Sequence, residues 1–338
     1  MLLTIAVAIA FTDPGPAPAP PEALAPYLAE HGEFKRSGGL EWLGGAFADA
    51  PSEERVLYAE AMAWHAQCRD WGQARSEAEV AKRGMEQTQP ITYSIAECGA
   101  LHPDWRETVE EFDDRATFLE ALGRWEAYLA HRYAVIDAVR AVTPDPASPH
   151  YARVVSPLVE TTDQFFMSDF FAAPRDGLDA AERKLAWQVY RDAIDREIRR
   201  NVTLVKPILA DGWPAADTLT VDEQTALFYT VQHADGVPWF QLDALDAMRA
   251  ALARGNVKPH QVAMLTDRVM IELRGEQLYG SQFRDPHQCD GERHIPNGLI
   301  DPEGLAERRA EMGMDPMEDY LERLHRLPSG NPCAVDAD

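Results

Sequence analysis

The sequence has few basic residues, and this shortage excludes a first class of partner. It contains 32 Lys and Arg against 56 Asp and Glu, which gives a formal net charge of −24. A surface this negative repels phosphate backbones and anionic lipid, so we expect the protein to bind no nucleic acid. Its ligand should be neutral or cationic, or should be held by locally positive residues.

Long apolar runs are also scarce. Residues 1–11 (MLLTIAVAIAF) form one such run, and eleven residues are too few to cross a bilayer as a helix. We therefore expect no stable membrane insertion. The run's length and the small residues Ala6, Ala8 and Ala10 are typical of a signal peptide, although no Lys or Arg precedes it. This pattern favours a periplasmic or secreted protein; the alternative is a cytoplasmic protein with a buried or frayed N-terminus.

Motifs of cofactor and nucleophile chemistry are missing. There is no glycine-rich phosphate loop, no G-x-S-x-G, no H-E-x-x-H and no paired C-x-x-C. His287, Cys289 and His294 could contact a metal, but three candidate ligands on a loop without a fourth do not define a zinc site. We therefore predict neither a cofactor nor a metal.

Cysteine is rare, but its count is even. Cys68 and Cys98 lie in the first half of the chain, and Cys289 and Cys333 lie in the second. In an oxidising compartment we expect Cys68 to pair with Cys98 and Cys289 with Cys333. In the cytoplasm the four residues would be free thiols.

Helical periodicity is abundant in the 338 residues, of which 46 % are apolar. It predicts helices from Ser52, over 76–87, over 115–142 and over 178–209, with at most a short β-hairpin around 278–283. The expected fold is mainly α and helical bundle-like, with two packed helical regions. We divide the chain into a signal peptide and Ala/Pro spacer (1–26), an N-terminal helical region (27–150) and a C-terminal helical domain (151–338). The proline-rich segment 144–149 marks the boundary.

Polar residues gather where one C-terminal helix should end. Thr220 and Glu223 form a capping box, and the helix that they start should continue to Asp235 and stop at Gly236. Gln232 and His233 would then lie on the last turn beside Asp235. Because an acid there opposes the helix dipole, we expect Asp235 to have another role. The alternative for His233 is a core histidine bonded to a backbone carbonyl.

Asp267 lies on a predicted helix, 260–274, that is apolar on nearly every side. A carboxylate in such surroundings is unfavourable unless it is paired or hydrogen-bonded. Arg268, Arg309 and His233 are the candidate partners. An ion pair that ties helices together is as consistent with this pattern as a functional carboxylate.

A polar turn follows the predicted helix stop at Gly275. It carries Gln277, Tyr279 and Gln282, whose amides and phenol suit the recognition of neutral polar groups. Gly280 should provide a positive φ or a close backbone approach.

Several separated motifs agree with one known family. They are Gly212-Trp213-Pro214, Gln232-His233-Ala234-Asp235, Asp267-Arg268, Gln277-x-Tyr279-Gly280-Ser281-Gln282, and Arg308-Arg309 with Gly313 and Tyr320. In this order they resemble the bacterial family called domain of unknown function 6624, over residues 159–324. Asp163-Gln164 and Asn201 also match family positions. The resemblance implies site residues but no chemistry, because the family has no assigned activity.

These residues lead to three hypotheses. The first is a hydrolase or group-transfer enzyme acting on a small polar substrate, with His233 as general base or acid and Asp235 or Asp267 orienting it. Its substrate-binding residues would be Trp213, Gln232, Arg268, Gln277, Tyr279, Gln282 and Arg309. The second is a non-catalytic module that binds a small ligand or peptide. The third is a purely structural polar network.

The first two hypotheses require His233, Asp267 and the Tyr279 turn to converge. Short connections join their helices, so antiparallel packing is the default. Trp213 should wall one side of the resulting cleft. The sequence does not predict the oligomeric state.

Overall fold

A computed structural model describes residues 14–29, 32–92, 95–98, 101, 104–171, 177–283, 287–326 and 331–333. Of the expected signal peptide and Ala/Pro spacer (1–26), residues 1–13 lie outside these ranges. The described chain is mainly α, which confirms the predicted class. Its α-helices are α1 (Ser52–Lys82), α2 (Trp105–Glu110), α3 (Arg115–Tyr133), α4 (Asp137–Arg140), α5 (Tyr151–Phe171), α6 (Ala180–Leu209), α7 (Val221–Gln232), α8 (Pro238–Leu252), α9 (Pro259–Arg274), α10 (Leu305–Glu311) and α11 (Met317–His325).

Short elements complete the architecture. Strands β1 (Gln288–Asp290) and β2 (Arg293–Ile295) form a two-stranded antiparallel sheet in the described residues, with Cys289 opposite His294. Short 3-10 helices cover Glu22–Tyr27, Glu41–Ala46, Ala96–Cys98, Ala134–Ile136 and Pro302–Gly304.

Three predicted boundaries were wrong. The two helices expected between Ser52 and residue 87 are one continuous helix, α1, and its N-cap is Pro51 without a side-chain bond. The helix expected over 115–142 ends at Tyr133 and gives way to a 3-10 turn and α4. The hairpin lies at 288–295 rather than around 278–283, where the chain forms an irregular turn.

The capping box of α7 is confirmed, because Thr220 accepts from the Glu223 amide and Glu223 accepts from the Thr220 amide. The helix ends at Gln232, earlier than predicted, because the Ala234 amide bonds Val231 three residues back. Asp235 therefore lies beyond the helix, and the argument from the helix dipole does not apply to it.

The helices surround one continuous apolar core that reaches from Leu24 to Leu273 and joins both predicted regions. In the C-terminal part, α5 packs on α6 and α7, and α8 packs along α9. Between the two predicted regions, α3 packs on α6 and α1 packs on α8. Among the described residues, no helix combines the length and the apolar character needed to cross a bilayer.

Both predicted disulfides are present. Cys68 bonds Cys98 and Cys289 bonds Cys333, each with its Cα atoms 5.7 Å apart. The first bridge joins α1 to the 3-10 turn at Ala96–Cys98. The second joins strand β1 to the C-terminal segment that follows α11.

Candidate functional site

Asp267 organises the turn that follows α9. Its Oδ1 accepts the backbone N–H of Leu278 at 2.8 Å and of Tyr279 at 3.0 Å. Its Oδ2 accepts the backbone N–H of Ser281 at 2.9 Å and the Ser281 hydroxyl at 2.8 Å. Burial raises the pKa of this fully buried carboxyl, and the turn's amide donors oppose that rise.

The carbonyls of the same turn are held from the other side. Arg308 Nε donates to the Leu278 carbonyl at 3.0 Å, and Arg309 Nη1 donates to the Tyr279 carbonyl at 2.6 Å. The Tyr320 hydroxyl donates to the Ser281 carbonyl at 3.0 Å. Arg309 is 1 % exposed and lies over the Tyr320 ring, and all three bonds of this clamp are partly buried.

Gln277 closes the turn on itself. Its amide nitrogen donates to the Gln282 carbonyl at 2.8 Å, and its amide oxygen accepts the Gln282 N–H at 3.0 Å. Gly280 has φ +66°, and a Cβ there would come within 2.6 Å of the Met317 methyl. The expected positive φ and close approach at Gly280 are therefore confirmed.

These contacts correct one expectation. The partners of Asp267 are backbone amides and a serine hydroxyl, not the expected imidazole or guanidinium. Gln277 and Arg309 bond the turn and also donate to the carbonyls of Asn297 and Asp315. This geometry favours positioning roles for these two residues over the predicted contacts with substrate. Asp267 bonds the turn and not His233, which it was expected to orient.

Arg268 connects the turn to the end of α7. Its Nε donates to Asp235 Oδ1 at 2.8 Å, and its Nη2 bonds Asp235 Oδ2, so the pair is bidentate. Its Nη1 donates to Gln282 Oε1 at 3.1 Å. Asp235 also accepts from Gln241 Nε2 at 3.3 Å. The three predicted residues Asp235, Arg268 and Gln282 are therefore brought together.

His233 has a different carboxylate partner from either predicted one. Its Nδ1 lies 2.7 Å from Oδ1 of Asp163, which projects from α5. The Asp163 side chain is 6 % exposed and the His233 side chain 20 %. Gln164 donates to the second Asp163 oxygen at 3.0 Å. Among the described residues, no protein atom is bonded to His233 Nε2.

Two buried amide oxygens at the end of α7 have no partner among the described residues. Gln232 Oε1 and Gln241 Oε1 are both buried and unbonded. The Gln241 amide nitrogen, by contrast, donates to the carbonyls of Val231 and Gln232. Such orphaned acceptors are unfavourable unless water or a ligand supplies a donor.

Trp213 does not lie in a cleft with His233, contrary to our expectation. Its indole donates to Gln224 Oε1 at 3.3 Å, in the first turns of α7. Gln224 and His233 are nine residues apart, which is about 13 Å along a helix. Trp213 is 4 % exposed and forms part of the core at the other end of α7.

Tyr279 is half-buried beside α9. Burial raises the pKa of its phenol, and Asp267 raises it further, while Arg249 and Arg308 oppose the rise. The turn that carries Tyr279 is linked to the end of α7 by hydrogen bonds: Arg268 bonds Gln282 of the turn and Asp235 after α7. The expected convergence with His233 is therefore indirect.

The three metal candidates do not form a metal site in the described residues. Cys289 is oxidised in its disulfide. His287 Nδ1 lies 3.1 Å from His294 Nε2, and Phe283 packs on the His294 ring with ring centroids 4.3 Å apart. In the described ranges, no group of three or more His, Cys, Asp or Glu side chains could hold a metal ion.

The arrangement defines a helical domain with a clamped polar turn and a histidine–aspartate pair. Residues 178–327 match the model of a family described as Family of unknown function (DUF6624). The match confirms the resemblance drawn from the motifs, although it begins later than residue 159. No curated protein and no solved structure matches the chain.

Sequence reasoning assigned no role to Asp163, which precedes the matched segment. A signal was available, because Asp163 lies among Val159, Phe165 and Phe166 on a largely apolar helix. A carboxylate in such a helix needs a partner from a neighbouring helix. The family resemblance named the position, but nothing in the sequence pointed from it to His233, seventy residues later.

Proposed function

We propose that the protein is an exported enzyme in which His233 acts as general base and acid on a small polar substrate, oriented by Asp163. The observation that carries this proposal is the 2.7 Å contact between His233 Nδ1 and Asp163 Oδ1. The carboxylate is buried while the imidazole is partly exposed. The second ring nitrogen, Nε2, has no bond to a protein atom among the described residues, and we propose that it meets the substrate.

The chemistry follows from the tautomer. When the carboxylate accepts a hydrogen bond from Nδ1–H, the proton stays on Nδ1 and the lone pair lies on Nε2. Nε2 can then take a proton from an attacking water or hydroxyl group and return it to the leaving group. The imidazolium formed between these two steps is stabilised by the Asp163 carboxylate. Hydrolysis or group transfer of a small molecule fits this sequence.

The surroundings of His233 favour a substrate that is uncharged or cationic and donates a hydrogen bond. Gln232 contributes a buried, unbonded amide oxygen next to the histidine in sequence. The Tyr229 ring stacks beside the His233 ring with centroids 6.2 Å apart, and Tyr229 is 37 % exposed. Arg268 is bidentate to Asp235 and so is not poised for an anionic group.

A second candidate is a non-catalytic module that binds a small ligand or peptide. The exposed ring of Tyr229 beside the polar edge of His233 favours it, because such aromatic and polar pairs also suit recognition without turnover. Catalysis and binding would use the same residues, so the experiment must separate them.

Export is part of the proposal. It is supported by the apolar residues 1–11, by the Ala/Pro spacer and by the two disulfides, which are typical of oxidising compartments. Cell fractionation with N-terminal sequencing of the purified protein tests it. Recovery of full-length protein in the cytoplasmic fraction would contradict it.

The decisive experiment exposes the purified protein to a bacterial extract of small metabolites and follows their loss by mass spectrometry. The test variant is His233→Asn, whose amide can keep the bond to Asp163 but cannot act as a base. The matched control is His131→Asn, which changes an exposed histidine near the end of α3. We expect the wild type and the control to consume a metabolite and His233→Asn to leave it unchanged, with melting temperatures within about 3 °C.

Other outcomes decide between the alternatives. If no metabolite is consumed but one raises the melting temperature of the wild type and not of His233→Asn, the protein is a binding module. If no metabolite acts and His233→Asn mainly lowers stability, the polar residues form a structural network. Equal turnover by the wild type and His233→Asn would overturn the proposed role of His233.

A further inference from the structure

The Ala/Pro spacer lies along helix α1, where two tryptophans donate hydrogen bonds to its carbonyls. Trp64 Nε1 donates to the Pro18 carbonyl at 3.1 Å, and Trp71 Nε1 donates to the Gly15 carbonyl at 2.9 Å. We call residues 14–21 the tract and the Trp64–Trp71 side of α1 the track. The higher-numbered tract residue meets the lower-numbered tryptophan, so the tract runs antiparallel to α1.

The spacing of donors and acceptors matches. Trp64 and Trp71 are seven residues apart, which is about 10.5 Å along an α-helix. Gly15 and Pro18 are three residues apart, which is about 9 Å in a polyproline II segment. Pro21, at the end of the tract, has φ −55° and ψ 141°, in that conformation. Prolines have no backbone N–H, so a proline-rich segment offers carbonyl acceptors, and an indole has a donor to offer them.

Further aromatic rings build the walls of the track. Trp71 stands edge-on to Trp239 of α8 with ring centroids 5.4 Å apart, and Trp64 stands edge-on to Phe34 at 6.3 Å. A cavity of about 680 Å³ opens beside Trp71 and Trp239, and residues 15–17 of the tract form part of its wall. The tract bends at Pro16, where it meets this cavity.

The tract covers the track without being enclosed. Ala17 and Pro18 are half-buried, whereas Gly15 and Pro16 are exposed. Trp71 is also only half-buried. The next fully buried anchor along the chain is Leu24, beyond the tract. An occupant held mainly by two indole donors and by shape can be exchanged for another of the same chemistry.

We propose that the track is a binding surface for extended, proline-rich peptide, filled in the folded chain by its own tract, and that a partner protein with such a segment displaces the tract. Proline-rich segments suit aromatic grooves because they are already extended and lose little conformational entropy on docking. The tethered tract competes at an effective concentration in the millimolar range, so the intact protein resists weak competitors.

The test uses the full-length chain with residues 14–21 replaced by a Gly/Ser sequence of equal length, which removes the competing tract. The probe is a fluorescein-labelled peptide with the sequence of residues 14–23, PGPAPAPPEA, followed by fluorescence anisotropy. We expect saturable binding to the Gly/Ser variant and binding at least about tenfold weaker to the wild type. Adding Trp71→Phe to the Gly/Ser variant should weaken binding at least about tenfold, because the indole donor is lost. Trp187→Phe, at an exposed tryptophan of α6, should not.

Three results would overturn the proposal. The first is no saturable binding to a folded Gly/Ser variant up to about 1 mM peptide. The second is equal binding with and without Trp71→Phe, or equal binding of a probe in which Pro16 and Pro18 are replaced by glycine. The third is a wild-type dimer that becomes monomeric in the Gly/Ser variant, because the occupant would then be the tract of a second copy. Circular dichroism of each variant checks that the helices are intact.

Discussion

Asp267 and Arg309 hold opposite ends of one residue: Asp267 accepts the Tyr279 N–H at 3.0 Å, and Arg309 donates to the Tyr279 carbonyl at 2.6 Å. Burial raises the pKa of Asp267 and lowers that of Arg309, so both charges are unfavourable without the turn. In return, Asp267 accepts three backbone amides of the turn, and Arg309 donates to the Tyr279 carbonyl. The clamp therefore depends on all three parts being present.

Asp267→Asn should break this dependence. The new amide group places an N–H where the turn also presents N–H donors, so at least one buried donor loses its acceptor. We expect the free energy of unfolding to fall by about 2–4 kcal/mol, measured by urea denaturation. Ser281→Ala is the matched control, since it removes one hydroxyl donor and should lower the free energy by about 1 kcal/mol. Equal small losses in both variants would contradict the clamp.

Arg268→Lys tests whether the guanidinium acts on structure or on substrate. A lysine cannot reproduce the bidentate contact with Asp235 and the bond to Gln282 together. We expect a loss of about 1–3 kcal/mol in the free energy of unfolding. A double-mutant cycle with Asp235→Asn should show coupling of similar size.

One outcome would support a contact between Arg268 and the substrate. Unchanged stability in Arg268→Lys, together with weaker binding of the metabolite found in the screen, would favour the predicted substrate-binding role. A coupling energy near zero in the cycle would contradict the structural role.

Helix identity could be predicted from the sequence where periodicity was strong and capping was local. The Thr220–Glu223 box and the Gly275 stop are confirmed, because their donors and acceptors lie within a few residues. The length of α1 could not be predicted. Its apolar stripe weakens in the middle, and α1 packs on α8 and on the 3-10 helix Glu41–Ala46, neighbours that periodicity does not reveal.

The sequence showed which polar residues matter more readily than it showed which partners they bond. Asp267 was correctly expected to need donors in the interior, but a side-chain partner was assumed where backbone amides of a following turn serve. The pairing of His233 with Asp163 spans seventy residues and depends on how α5 packs on α7. Helix periodicity shows which face is buried and says nothing of which neighbour that face meets.

Reduction of the two disulfides should destabilise the protein. The bridges close loops of 30 and 44 residues, and the loop-entropy relation gives each about 3–4 kcal/mol. We expect the urea midpoint to fall when a thiol reductant is added. The double variants Cys68→Ser/Cys98→Ser and Cys289→Ser/Cys333→Ser should each lose part of this response. A wild-type midpoint that is insensitive to complete reduction, verified by thiol counting, would contradict the prediction.

His65 should make the protein sensitive to mild acid. It is 5 % exposed on α1, and its Nε2 has no partner among the described residues. Burial lowers its pKa to about 4, and Arg69 adds to the effect. The unfolded chain, with a pKa near 6.5, therefore binds more protons than the folded chain between these two values. Stability from this group is full above about pH 6.5 and is lost as the pH falls toward about 4.

His65→Gln removes this titration and should flatten the pH dependence. The full window corresponds to about 3 kcal/mol, so the wild type should lose about 2–3 kcal/mol more than the variant between about pH 7 and about pH 4. Comparing slopes rather than absolute values cancels the packing change that the substitution itself causes. His131→Gln, at an exposed site, should follow the wild-type curve. Parallel urea-derived curves for the wild type and His65→Gln would mean that folding does not shift the pKa of His65, and this result would contradict the prediction.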